Sequence, residues 1–313
     1  MKRKNAVFAV IASAMLWGTY GSFLTAIEAR GMNADVINFL RFASTSLPTL
    51  LYLLVKRREA LRVRKEDLWL FAANGLASIL FFTSCYASAI RETKIATAAA
   101  LLYTAPAIVL LLSALLFGER ITSRKLLCIL LSVAGCALVS GLGGDTVLTL
   151  RGLLLGLGAG LGYALYSIFS RLIQKRGYST FTNVCWTFLI AAIAYFAISS
   201  LKGNTSQILT LPTATLLSVV CGLFTGLLAY LLYTAGLREM EPSRAAQLAT
   251  VEPVFAALLG AALFHQRLSV TECLGIVLVV AAVVGMNLKG EAEKTGNWNP
   301  LRGLAEKNRS MLY

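Results

Sequence analysis

The chain has 313 residues, 57% of them hydrophobic and only 14% charged, with a mean hydropathy of +0.71. Soluble domains carry about 25% charge, and a soluble core cannot hide this much apolar surface, which excludes most soluble enzyme classes. The net charge of +14 sits in short clusters between apolar runs, with no aromatic-interleaved basic stripe, so nucleic acid is not an expected partner.

Ten nearly uncharged runs follow in chain order: Val7 to Ile27, Val36 to Val55, Leu68 to Ile90, Ile95 to Phe117, Leu126 to Leu142, Gly152 to Ser170, Thr180 to Leu201, Pro212 to Leu237, Arg244 to Phe264 and Thr271 to Leu288. Each is long enough to cross roughly 30 Å of hydrocarbon as a helix. Helices are required because lipid offers backbone amides no partner, and the runs lack the alternation of barrel strands. Lys2, Arg3 and Lys4 precede the first run, but its length and the absence of a small-x-small cleavage site read as a retained helix, not a secretory leader. The fold class expected is therefore an all-α integral membrane protein with ten transmembrane helices.

The loops fix an expected orientation. With the N-terminus inside, cytoplasmic segments hold 22 Lys and Arg, outer loops hold 6, and Arg41 lies within the second run. This positive-inside bias places both termini in the cytoplasm of a multi-pass protein of a prokaryotic inner membrane. The polar stretch 289–313 reads as a flexible cytoplasmic tail, with membrane lipid contacts through Lys294, Lys307 and Arg309.

Cys85, Cys128, Cys136, Cys185, Cys221 and Cys273 lie in or beside apolar runs without CxxC spacing, and His265 is the single histidine. No metal, cofactor or Cys-His catalysis is expected from such a set.

An internal repeat organises the chain. A shift of 147 lays Gly75 to Leu138 over Gly222 to Gly285 with 21 identities in 64 positions, including Tyr86 on Tyr233, Arg91-Glu92 on Arg238-Glu239 and Pro106 on Pro253. Small slips bring Trp17 and Tyr20 onto Tyr163 and Tyr166, and Asn38 onto Asn183. Five helices per copy, 1–145 and 146–288, make the second copy inverted, an organisation suited to alternating access.

Two stretches carry a family resemblance: Ile95-Ala96-Thr97-Ala98-Ala99 to Pro106 with Phe117-Gly118-Glu119-Arg120, and Ser243-Arg244-Ala245-Ala246 to Glu252-Pro253 with Phe264-His265-Gln266-Arg267. They resemble the EamA-like family of the drug/metabolite transporter superfamily, departing from it at Gln266. The resemblance implies ten helices around a central cavity and movement of small metabolites, often amino acids or their derivatives, commonly outward.

Candidate substrate contacts are the polar and aromatic groups at membrane depth. An intramembrane charge is costly and by default marks a pathway. Glu252 is read as a proton, cation or ammonium site, against a satisfied structural glutamate. Arg41 is read as a carboxylate clamp, against an arginine that snorkels outward. Trp17, Tyr20, Tyr163 and Tyr166 are central aromatics able to stack or make cation–π contacts, against simple packing. Tyr86, Tyr103 and Tyr230 are similar, and Gln247 and Trp186 are candidate cavity hydrogen bonders, against helix–helix glue. Pro106 and Pro253 are candidate kinks. The glycines at 156, 158, 160 and 162 read as packing, internal or dimeric, and the Arg-Glu pairs as gates or as solvated surface pairs.

The function expected is a secondary transporter that exports a small-molecule substrate, amino acids or related amphipathic compounds, by alternating access, acting as a monomer or homodimer, with proton coupling open. Uptake by the same fold and a membrane enzyme are the competing readings. ATP drive is not expected, since no GxxxxGK[ST] loop is present.

Overall fold

The computed structural model of the chain describes residues 3–93, 95–140, 149–264 and 268–287. The tail 289–313, His265 and the departure at Gln266 lie outside the described residues. Among the described residues every regular element is helical. In chain order these are α1 (Arg3–Gly18), α2 (Tyr20–Glu28), α3 (Ala34–Lys56), α4 (Leu68–Ala73), α5 (Phe81–Glu92), α6 (Ile95–Leu102), α7 (Ala105–Phe117), α8 (Ser123–Val139), α9 (Leu150–Lys175), α10 (Thr180–Leu201), α11 (Gln207–Thr210), α12 (Pro212–Cys221), α13 (Ala229–Leu237), α14 (Pro242–Ala249), α15 (Val251–Phe264) and α16 (Val270–Asn287). Helix starts follow side-chain chemistry: Asn33, Thr122, Thr149 and Ser179 each accept a backbone N–H of the turn they begin.

Eight of the continuous helical stretches are long and apolar enough to cross a bilayer. The two remaining expected spans form α3 and α8, which fall outside that set. The reasons are local. Helix α3 carries the buried polar residues Asn38, Arg41, Ser44, Thr45, Ser46 and Thr49, and α8 has 17 residues, the short limit of about 17–25 for a span.

Several spans are interrupted, and the interruptions repeat. A π-helical turn, Asn74–Leu80, joins α4 to α5, and another, Gly222–Leu228, joins α12 to α13. The α6–α7 span breaks at Tyr103-Thr104 and the α14–α15 span at Thr250. Both places correspond under the 147-residue shift. The prolines account for the second pair: Pro106 and Pro253 have no N–H for the carbonyls four residues earlier, Leu102 and Ala249, and the helix loosens there. Thr104 and Thr250 then donate their hydroxyls to the carbonyls of Leu101 and Gln247, a back-bond that bends helices.

Packing follows the same correspondence. A Cβ on Gly75 would meet the Thr187 carbonyl and Ile190, and one on Gly222 would meet Ser44 and the Arg41 carbonyl. The reading of the α9 glycines as internal packing is where the structure puts them: Gly156 and Gly160 lie against Leu101, and Gly162 against the Phe82 backbone. Only hydrogen fits at these approaches, so the helices come closer than larger residues allow.

The antiparallel helices sort their connections onto two faces. On one, Asp67 accepts from Arg176 and Tyr178, Arg171 donates to the Leu237 carbonyl, and Lys125 meets Glu241. On the other, Lys202 pairs with Asp35 and Arg151 with Glu92. Helix α1 begins on the first face, where Ala6 and Val10 meet Gly236. Helix α16 ends there too, with Asn287 accepting from Arg244. We call it the N-terminal face and the other the distal face.

Candidate functional site: a central aromatic chamber

The break between α1 and α2 is the starting point. Gly18 lets α1 approach α15 so closely that a Cβ would stand 2.9 Å from the Glu252 carbonyl. Thr19 donates to the Leu16 carbonyl at 2.7 Å, and the chain bends as it passes from Trp17 to Tyr20. One residue thus faces the middle of the molecule and the other faces α3.

Trp17 is the hub of an aromatic cluster. Its ring lies 5.0 Å from Tyr230, 5.2 Å from Tyr233 and 6.0 Å from Tyr163. Tyr230 in turn lies 4.9 Å from Tyr166 and 4.5 Å from Phe188. Edge-on contacts of this kind add to area burial. The polar ends are satisfied as well: Trp17 donates to the Thr225 carbonyl at 3.0 Å, Tyr166 bonds Thr234, and Tyr233 bonds Ser167.

Arg41 is buried, at 5% exposure. Its Nε donates to the Thr225 hydroxyl at 3.1 Å, and its guanidinium stacks 4.2 Å from the Tyr20 ring centre. No carboxylate of the described residues lies within ion-pair distance of it. Thr225 belongs to the second π-turn, so this one residue holds Trp17 by its carbonyl and Arg41 by its hydroxyl.

Glu252 lies at the start of α15, just past the Thr250 break. It is half-buried, so its side chain is not enclosed by packed protein on every side. Arg41 is the cation whose field reaches it, and the Tyr86, Tyr103 and Tyr163 hydroxyls lie within its own electrostatic reach.

Exposure across the chamber is graded. Trp17, Tyr166, Tyr230 and Tyr233, which floor it toward the N-terminal face, are buried. Tyr20, Tyr86, Tyr103, Tyr163 and Glu252 are half-buried, and Tyr20, Tyr86 and Tyr103 sit in the distal halves of their spans. The floor encloses a cavity of about 10 Å³ lined by Trp17, Ser78, Phe82, Tyr163, Tyr166 and Tyr230 among others, room for one water. A larger groove of about 570 Å³ runs between α5 and α9, lined by Phe81, Cys85, Leu150, Leu154, Leu155 and Gly158 with Arg151 at its end. Its wall offers a polar metabolite almost nothing to bond, so chemistry favours the chamber over the larger volume.

The structure therefore brings together Trp17, Tyr20, Arg41, Tyr86, Tyr103, Tyr163, Tyr166, Tyr230 and Glu252. Two candidates lie elsewhere. Gln247 is fully buried and bonds Ser132 and the Cys128 carbonyl of α8, and Trp186 donates to the Leu61 carbonyl near the N-terminal face. Pro106 and Pro253 are buried beside the breaks and line no opening. Arg91 donates to Ser88 and Glu92 pairs with Arg151, so this Arg-Glu pair is not a mutual bridge. Thr225, Phe82 and Phe188 were not foreseen; a threonine and two phenylalanines within apolar runs carry no sequence signal that separates them from their neighbours.

The comparisons agree with this architecture. The chain matches the EamA-like transporter family over residues 4–141 and 150–288. An uncharacterized transporter of Archaeoglobus fulgidus is 30% identical over 282 residues, covering 88% of this chain and 94% of the relative. A probable amino-acid metabolite efflux pump of Escherichia coli is 27% identical over 293 residues, covering 90% and 94%. A solved crystal structure superposes with a TM-score of 0.78 at 19% identity, covering 92% of this chain and 98% of that one, and so shares the fold. The chain is a member of the EamA-like transporter family.

Proposed function

We propose that the chain is a ten-span carrier of two inverted five-helix repeats with both termini in the cytoplasm of a prokaryote. It exports amino acids or related amphipathic metabolites by alternating access. The observation that carries this reading is Arg41: a buried guanidinium held by Thr225 and Tyr20, with no carboxylate of the described residues in ion-pair contact, at the side of a chamber that also holds Glu252. A substrate carboxylate supplies that counter-ion by a charge-assisted hydrogen bond. The substrate ammonium then meets Glu252 and the tyrosine faces. The name of the Escherichia coli relative supports export and this substrate class.

Among the described residues Glu252 is the one carboxylate in the chamber, and it is the natural carrier of a coupled proton. Flux of labelled amino acids in proteoliposomes with an imposed pH gradient tests it. Glu252→Gln is expected to abolish the gradient-driven component; a rate equal to that of the parent protein would overturn the coupling.

A further inference from the structure

The chamber residues are buried toward the N-terminal face and half-buried toward the distal face, and a charge cluster stands at the buried side. Lys125, in the first turn of α8, places its Nζ 2.7 Å from Glu119 Oε1 and 2.8 Å from Glu241 Oε2. Ser243 donates to the same oxygen of Glu119. Glu119 follows α7, the end of the broken span of the first repeat, whereas Glu241 and Ser243 begin α14, the start of the broken span of the second. Those spans touch directly through Val109, Ala105 and Ala246. The cluster thus fastens one broken span to its repeat partner, on the N-terminal face where the aromatic floor is buried.

The residue equivalent to Lys125 under the repeat shift is Glu272, of opposite charge. It is half-buried and accepts from the Ser269 backbone N–H and hydroxyl, 2.6 and 2.8 Å away, a cap within its own helix. Among the described residues the tie across the repeats is seen at the N-terminal face; the equivalents of Glu119 and Glu241, Gln266 and Lys94, lie outside the described residues.

The tie is also incomplete. Side chains of Lys125 and Glu119 are 13% and 2% exposed, yet Glu119 Oε2 is buried without a protein partner. A buried ion pair earns stability only when its remaining atoms are also bonded, so a half-satisfied one sits close to balance with its separated form. Balance of that kind suits a contact that must break and reform.

We infer that Glu119, Lys125, Glu241 and Ser243 form a releasable latch between the repeats, which holds the chamber closed to the N-terminal face while it is open to the distal face. Release lets α7 and α14 part at their outer ends and exposes the floor. This rests on the transport reading above, but its test needs no substrate.

The full chain carrying Cys273→Ser, to silence the exposed native thiol, receives one reporter cysteine, Ala99→Cys or Thr234→Cys. Ala99 is half-buried one turn from Tyr103, and Thr234 is buried in the floor. Labelling by a polar maleimide in nanodiscs is expected to be fast at 99 and slow at 234. Lys125→Gln should raise the rate at 234 at least ten-fold and lower it at 99, Glu241→Gln should do the same more weakly, and Lys125→Arg should keep the parent pattern. Continued protection of 234 in a monodisperse Lys125→Gln protein overturns the latch. So does equal acceleration at both positions, or loss of folding in both neutralised variants, since each marks a purely structural contact. A chain that switches its labelling but moves no metabolite would sink the transport reading and leave the latch standing.

Discussion

The two repeats share their joints but not their chemistry. The π-turns, the paired breaks and the glycine approaches of Gly75 and Gly222 recur at equivalent places. At the chamber the copies part. Arg41 packs by its backbone on Gly222 as Thr187 packs on Gly75, a register one residue off the sequence match of Asn38 with Asn183, so a cation in one copy stands where the other has a hydroxyl. Glu252 corresponds to Ala105 under the repeat shift. The first span bends at Thr19, whereas α9 runs unbroken through 26 residues. The breaks and close approaches are thus doubled, whereas the two charged chamber residues occur once; on the transport reading proposed above, that is a two-way hinge around a single asymmetric site.

Substitutions at equivalent positions break or sharpen this contrast. The largest effect is expected at Arg41. Arg41→Gln removes a hydrogen-bonded charge contact of about 1.5–3 kcal/mol, roughly a 10- to 150-fold loss of affinity for a carboxylate substrate. Thr187→Ala, its repeat counterpart, should leave affinity within about two-fold, because Thr187 bonds Asn74 and Asn183 away from the chamber. Isothermal titration on both variants checks the pair.

Next come the joints, where the copies should behave alike. Gly75→Ala and Gly222→Ala each force a methyl into a backbone contact, and each should cost about 1–3 kcal/mol, by similar amounts. Thermal unfolding in one detergent compares them; a cost at one glycine alone would undo the idea of shared mechanics.

Smaller still is the pH response of the latch. Burial pushes the Glu119 carboxyl above the usual glutamate range, against the pull of Lys125 and the Ser243 hydroxyl, with Glu241 adding to the rise. Burial also works against the Lys125 ammonium, but Glu119 and Glu241 outweigh it and hold its pKa up. A raised carboxyl binds its proton more tightly folded than unfolded. Its contribution to global stability is therefore full below the ordinary glutamate pKa and lost as pH rises through the raised value. The latch runs the other way, since it needs the carboxylate: reporter labelling at 234 should begin to rise as pH falls while still above the ordinary glutamate range. Glu119→Gln should remove that step.

The smallest effect is expected at the distal surface. Lys202 is 58% exposed in its pair with Asp35, and Lys202→Ala should cost less than about 1 kcal/mol, with a dependence on salt seen in thermal unfolding.

Much of the fold was legible because its cause is one-dimensional. Apolar length and the helical requirement of lipid placed the helices within a few residues: Val36 to Val55 forms within Ala34–Lys56, and Thr180 to Leu201 is α10 as expected. The repeat register was legible because Pro, Tyr and Arg-Glu recur without gaps. The π-turns were not, since an extra residue in a turn leaves the apolar pattern of Asn74–Leu80 unchanged. The prolines marked kinks, but the breaks fall at Tyr103-Thr104 and Thr250, because the bond a proline removes belongs to the carbonyl four residues back. At the chamber, intramembrane rarity pointed to Arg41 and Glu252, and central aromatics to Trp17 and Tyr163. Gln247 was equally rare in its span, yet its amide nitrogen is engaged by Ser132 and the Cys128 carbonyl on the neighbouring helix, partners that only three dimensions reveal. Lys125 and Glu241 sit in loop-like charge clusters, where sequence cannot separate a latch from a solvated surface.

Ligand-dependent thermal unfolding of the parent protein and Arg41→Gln probes the chamber most directly, with matched sets of amino acids, their decarboxylated amines and their methyl esters. A carboxylate-bearing member should raise the melting temperature of the parent, its amine and ester should not, and the selectivity should vanish in Arg41→Gln. Equal stabilisation of both proteins by the acid, or of the parent by acid and amine alike, would contradict a site built around Arg41.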